Sequence, residues 1–177
     1  MKPAIALCLL GVVAVMLESV LADAFPVRLL PDLPLLVTVG MALTLSPGPG
    51  LAAAAVLGLA TDMDSGALLG THAFVGLLEF ALARMVAAKL DLRRGIPFAV
   101  FAFGLQALDS ALMLAISRLF APGFVLAASD VVSSLVRCFP TAIVAPAVSV
   151  LARRVVALQK EAEARREMRI ETHRPVL

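Results

Sequence analysis

The chain has 177 residues, 61% of them hydrophobic and 16% charged, with a formal net charge of +2 and a mean hydropathy of +0.99. Soluble domains are about half apolar and about a quarter charged. The composition therefore excludes an ordinary soluble domain and predicts an integral membrane protein.

Four apolar stretches are long enough to approach or exceed the ~20 residues of a spanning helix: 3–22, 66–88, 96–116 and 125–151. The first also has features of a cleavable signal peptide, since Lys2 precedes it and the sequence Ala-Asp-Ala follows it at 22–24. Glu18 interrupts the apolar core, and everything downstream is also apolar. We therefore favour a helix that stays in the membrane.

Two shorter apolar stretches, 33–45 and 51–60, flank the sequence Ser-Pro-Gly-Pro-Gly at 46–50. Two prolines around a glycine oppose a continuous helix, because proline lacks an amide donor and restricts the residue before it. We expect two short helices here, either spanning with the help of flanking residues or forming a re-entrant pair. The sequence thus predicts an all-α bundle of about six transmembrane helices over 1–151, followed by a charged cytoplasmic tail at 152–177.

Basic residues support an even number of crossings. With six helices and a cytoplasmic amino terminus, the outside receives only Arg28 and Arg118, and the remaining basic side chains lie inside, as the positive-inside rule requires: Lys2, Arg84, Lys89, Arg93, Arg94, Arg153, Arg154 and those of the tail. A single kinked helix over 33–60 would turn the Arg93–Arg94 loop outward. The expected location is a bacterial inner membrane with both termini in the cytoplasm.

Asp62 and Asp64 lie between two apolar runs in the sequence Asp-Met-Asp-Ser-Gly. Two carboxylates are too few for a divalent cation, and Asp, Ser and Gly are the residues of turns. We expect a turn in which Asp64 or Ser65 caps the following helix, with contact to a partner as the alternative. No motif of nucleophilic catalysis, metal binding or phosphate binding occurs, so we expect no enzyme, metal or cofactor.

Three acids and one base lie within or near the predicted spans: Glu18, Glu79, Asp109 and Arg137. A charge at the centre of a spanning helix costs about 2.5–3.5 kcal/mol on insertion scales. Arg137 should therefore pair with one of the three acids, and the sequence does not distinguish among them. An ion pair that fixes helix packing is the favoured role, with an ion pathway or a partner contact as alternatives.

Two motifs resemble the MreD family of rod shape-determining membrane proteins. The run of Pro31, Asp32 and Leu33 is similar to the family's Pro-Asp-Leu element. The run from Gly58 to Gly70 resembles the family's turn and helix, which assigns family positions to Gly58, Asp62, Ser65, Gly66 and Gly70, and Pro146 in an Ala-Pro pair also fits.

The resemblance implies a non-enzymatic scaffold of the machinery that elongates rod-shaped cells by peptidoglycan synthesis. It implies binding to the periplasmic protein MreC, close to MreB, RodA and an elongation transpeptidase, with membrane lipid around the chain and no nucleic acid. On this reading the Asp62 turn faces MreC. The fold is expected to be similar to the substrate-binding subunits of energy-coupling-factor vitamin transporters, which supplies the second candidate, capture of a small molecule for transport.

Overall fold

A computed structural model describes residues 2–66, 68–90, 95–120 and 127–171. These residues form six α-helices and no strand, which confirms the predicted all-α bundle: α1 Lys2–Ala24, α2 Leu33–Thr44, α3 Pro47–Ser65, α4 Thr71–Ala87, α5 Gly95–Phe120 and α6 Ala128–Glu171, with a 3-10 turn at Val27–Leu29. Four segments of this part are long and apolar enough to cross a membrane: Pro3–Ala24, Val27–Thr44, Gly95–Phe120 and Ala128–Ala162.

The Pro-Gly segment separates two helices. α2 ends before Leu45, and α3 begins at Pro47, so both prolines lie in the first turn of α3, where no intrahelical amide donor is needed. α3 therefore extends beyond the predicted stretch 51–60 in both directions. Its 19 residues reach about 28 Å, close to the ~30 Å hydrocarbon core.

Close contacts show that the helices alternate in direction. A Cβ at Gly58 would lie 2.4 Å from Ala73, and one at Gly50 would lie 2.4 Å from Phe80, so α3 and α4 are antiparallel. Asp32 bonds to Thr141 and Gly40 lies against Ala152, so α2 and α6 are parallel. The start of α1 and the end of α6 therefore lie at the same end of the bundle.

We call that end the inner end, and the opposite end, with residues 25–32, 66 and 68–70, the outer end. The predicted basic loop with Arg93 and Arg94 lies outside the described residues. α6 continues without a break through Pro140, Pro146 and residue 152, and Ala152 and Val156 are buried. The division at residue 151 into bundle and tail stays a prediction.

α2 is the central helix of the bundle and packs against α1, α3, α4 and α6. Eight consecutive residues from Leu35 to Ala42 are buried. Both of its ends are held by ionic side chains: Asp32 accepts the amide N–H of Leu35 at 3.0 Å, and Arg84 Nη1 donates to the carbonyl oxygens of Ala42 and Leu45 at 3.2 and 2.7 Å. These bonds satisfy backbone groups that helix ends leave unpaired.

The short central helix leaves space at the outer end. α2 has 12 residues and so is about 18 Å long, whereas the surrounding helices are longer. Beyond its amino terminus the bundle axis is unfilled. This difference in length positions the candidate site.

Candidate functional site

A cavity of about 1130 Å³ occupies the outer half of the bundle. Its walls come from all six helices, and its floor is the amino-terminal turn of α2, with Asp32, Leu35 and Thr38. Sites for small molecules are usually about 300–1,000 Å³, mostly apolar, with a few convergent polar groups. The fold brings polar side chains from separate helices together at this end.

Arg137 reaches the cavity floor from α6. Its Nη2 contacts the carboxylate of Glu18 on α1 and lies 3.3 Å from Asp32 Oδ2. Glu18 is one of the three acids that the sequence offered as a partner, and Asp32 is a partner that the sequence analysis missed. The Arg137, Glu18 and Asp32 side chains are 24%, 17% and 15% exposed, and the Nε of Arg137 is buried without a hydrogen-bond partner among the described residues.

Asp32 connects three helices through its backbone and side chain. Its own N–H donates to Thr141 Oγ1 on α6 at 3.0 Å, and the next N–H, that of Leu33, donates to Glu18 Oε2 at 3.2 Å. Its carboxylate caps α2 and also contacts Arg137. The Pro-Asp-Leu element therefore ends the outer loop, starts the central helix and joins it to α1 and α6.

Hydrogen bonds of Gln106 connect Asp32 to α5. Gln106 Nε2 lies 3.4 Å from both Asp32 Oδ2 and Asp109 Oδ2, and its Oε1 accepts from the Thr141 hydroxyl at 3.2 Å. Gln106 and Thr141 are both fully buried. Neither was predicted as a site residue, although an amide within an apolar span is the kind of signal that marks one.

Glu79 on α4 closes the far side of the cavity. Its side chain is buried, and the carboxyl group of Asp109 on α5 lines the same cavity. The Asp109 carboxyl group also lies 3.4 Å from Gln106 Nε2. We call these two residues the Glu79–Asp109 pair.

Asp62 holds the turn between α3 and α4. Its fully buried carboxylate accepts the N–H of Gly70 and the N–H of His72, each at 2.8 Å, and contacts His72 Nδ1 at 2.8 Å. Asp62 on α3 therefore caps the start of α4 and fixes the connecting turn. We call this set of bonds the Asp62 clasp.

The prediction that Asp64 or Ser65 caps α4 was wrong. The Asp64 carboxylate accepts from the Ser19 hydroxyl on α1, and the Ser65 hydroxyl donates to the carbonyl oxygen of Asp62 at 3.5 Å. The amide groups at the start of α4, those of Gly70 and His72, bond to Asp62 instead. Among the described residues no group of three or more His, Cys, Asp or Glu is placed to hold a metal ion.

Steric constraints explain why glycine occupies positions 58, 66 and 70. A Cβ at Gly58 would lie 2.4 Å from the Cα of Ala73, so only glycine permits this approach of α3 to α4. Gly66 ends α3 at φ 65°, and Gly70 starts α4 at φ 95°. Both values lie in the left-handed region that glycine adopts at little cost.

Comparison with known proteins agrees with these motifs. The chain matches the family described as rod shape-determining protein MreD over residues 3–155. No curated protein and no solved structure matched the chain. The matched residues include the Pro-Asp-Leu element, the Asp62 clasp and Arg137 with its partners Glu18 and Asp32. This chain therefore belongs to the MreD family of rod shape-determining membrane proteins.

Proposed function

We propose that the chain is a non-catalytic scaffold of the cell-elongation machinery, and that it binds an MreC-like periplasmic protein through its outer end. Family membership supports a role in determining rod shape. MreB, RodA and an elongation transpeptidase are the further partners that this role implies. The proposal contains no chemical step on a substrate.

The observation that carries the proposal is the apolar surface of the outer turn. Met63, Leu68 and Leu69 are largely exposed around the turn that the Asp62 clasp holds. A second exposed apolar group, Phe25, Val27 and Leu29, lies in the connection between α1 and α2 at the same end. Contiguous exposed apolar side chains next to polar ones are typical of protein interfaces.

A fixed turn is a better binding surface than a mobile one. A mobile loop loses conformational entropy when it binds, and a loop that is already fixed in the folded chain avoids this cost. The Asp62 clasp and the Ser19–Asp64 bond hold the turn to α4 and α1. Asp62 would thus support partner binding indirectly, through the position of Leu68 and Leu69.

The charge distribution supports a periplasmic position for this end. Arg84 and Lys89 lie toward the inner end, with Arg153, Arg154 and the basic extension of α6. Arg28 and Arg118 lie near the outer end, and Arg137 is paired with acids within the bundle. The positive-inside rule then orients the outer turn toward the periplasm. A partner with a single membrane helix and a periplasmic domain could reach it there.

Co-purification tests the proposal. We expect the chain to retain a protein encoded by a neighbouring reading frame with one transmembrane helix, a coiled coil and β-rich domains. Leu68→Asp should reduce the retained amount about tenfold, because a charge in a packed interface costs more than 1.4 kcal/mol. Leu158→Asp is the matched control, since the two leucines are 65% and 64% exposed at opposite ends. Equal retention by the two variants would contradict the proposal.

The cavity is the observation that supports a second candidate function, the capture of a small molecule for transport. Its volume and its convergent polar groups are those of a ligand site. A transport subunit should keep a vitamin-type molecule through purification and need no periplasmic partner for stability. A scaffold should keep the partner, and its rod-shape phenotype should be lost with Leu68→Asp.

A further inference from the structure

The cavity has an excess of acidic side chains over basic ones. Six carboxyl groups line it: Glu18, Asp32, Asp64, Glu79, Asp109 and Asp130. The strong bases of the lining are Arg28 and Arg137. The six residues from 121 to 126, which lie outside the described part, include no titratable side chain and so cannot change this balance.

The acids are not all neutralised within the fold. Arg137 forms ion pairs with both Glu18 and Asp32, so those two carboxylates share one cation. Glu79 and Asp109 add two further carboxyl groups, from α4 and α5. Asp64 is bonded to a neutral hydroxyl. The cavity therefore retains net negative charge between low-dielectric walls, which strengthens its electrostatic potential.

The remaining walls are apolar. Val15, Leu35, Leu57, Val75 and Met113 line the same space from α1, α2, α3, α4 and α5. An ion that keeps its full hydration shell gains nothing from such walls, whereas an organic cation can place its carbon chain against them. The geometry and the charge together point to a compact amphiphilic ligand.

We propose that the outer cavity is a binding site for a small organic cation, one that carries an ammonium or guanidinium group on a short aliphatic chain. Its charged group binds between the cavity floor and the Glu79–Asp109 pair, and its chain packs on the apolar wall. Leu68 of the outer turn also lines the cavity, but the cavity floor and the Glu79–Asp109 pair are not part of the surface proposed for the partner, so the site does not depend on the scaffold proposal.

Binding to the purified full-length chain tests the site. The probes are 1,4-diaminobutane, 1,4-butanediol and succinate, which share a four-carbon chain and carry two positive charges, none and two negative charges. We expect saturable one-to-one binding of the diamine by calorimetry in 100 mM NaCl, and none of the other two. Equal heats from all three probes, or from added NaCl alone, would overturn the proposal.

Two isosteric variants locate the site. Glu79→Gln leaves the Asp109 carboxyl group in place, so the diamine affinity should change less than about threefold. The double variant Glu79→Gln with Asp109→Asn removes both carboxyl groups and should weaken binding about tenfold or more. The control Asp23→Asn changes an exposed acid outside the cavity lining and should have no effect. Unchanged affinity in the double variant would contradict the assigned position.

A second measurement does not depend on the folding of those variants. With Cys8 and Cys138 replaced by alanine, Ser110→Cys places one thiol in the cavity wall, and Ser129→Cys places one on the exposed start of α6. We expect a positively charged methanethiosulfonate to react faster than a negatively charged one at Ser110→Cys. The rate ratio should be at least about tenfold larger than at Ser129→Cys. Equal ratios at the two positions would overturn the proposal.

Discussion

Replacing Arg137 by methionine removes the shared cation of the cavity floor and keeps most of the side-chain volume. It leaves Glu18 and Asp32 without their common partner. Removing one partner of a buried ion pair costs about 3–5 kcal/mol. Because the three side chains border an open cavity, we take the lower end and expect about 3 kcal/mol. Arg137→Lys should cost about 1–2 kcal/mol, since an ammonium lacks the forked geometry that contacts two carboxylates.

Glu18→Gln should be less harmful than Arg137→Met, at about 1–2 kcal/mol, because Arg137 keeps Asp32 at 3.3 Å. The double variant should be more stable than the sum of the single losses predicts, by about 1–3 kcal/mol, as expected for residues in direct contact.

Equilibrium unfolding of the unmodified chain and of the four variants in mixed micelles measures the single losses and the coupling between Glu18 and Arg137. A control with the same loss of charge is Arg154→Met, which replaces an exposed arginine of α6. The assignment of the ion pair would be refuted if the unfolding free energy of Arg137→Met lay within about 0.5 kcal/mol of that of the unmodified chain. It would also be refuted if the losses of the two single variants added up to the loss of the double variant.

Three further predictions concern the Asp62 clasp, the helix contact at Gly58 and the accessibility of Leu68. Asp62→Ala removes three contacts at 2.8 Å and should lower the unfolding free energy by about 2–4 kcal/mol. Asp64→Ala, which loses one exposed bond, should lower it by less than about 1 kcal/mol, and equal losses would remove the distinction between the two acids. Gly58→Ala should destabilise by about 2 kcal/mol or more, because its Cβ would meet the backbone of Ala73 at 2.4 Å. A Cβ at Gly104 would have no atom within 4 Å, so Gly104→Ala should be neutral or stabilising by about 0.5–1 kcal/mol. One thermal unfolding series measures the stability of these four variants. Leu68→Cys should react with an impermeant maleimide in intact spheroplasts, and reaction only after lysis would reverse the orientation.

The helices of the bundle could be predicted because apolar length and proline position are local properties. The break between α2 and α3 follows from two prolines that a first turn tolerates and a helix interior does not. The prediction that Arg137 needs an acidic partner also depended only on the residues around it in the sequence. Arg137 was found from its cost in an apolar run, before any contact was known.

The identity of the contacts could not be predicted, because it depends on distances between helices. Asp32 precedes an apolar run and is followed by a proline, which is the signal of a helix cap, yet that signal does not show that its carboxylate also reaches Arg137. The choice between Asp62 and Asp64 depends on the path of the turn through Gly70. The cavity arises because the short helix is the central one, and sequence gives length without position in the bundle.

Photocrosslinking from the outer turn tests the central claim most directly. A photoreactive amino acid at Leu68 should yield one covalent adduct with an MreC-like protein in growing rod-shaped cells, and the same group at Leu158 should yield none. Abundant adducts with that protein from Leu158, together with none from Leu68, would contradict a scaffold that binds its partner through the outer end.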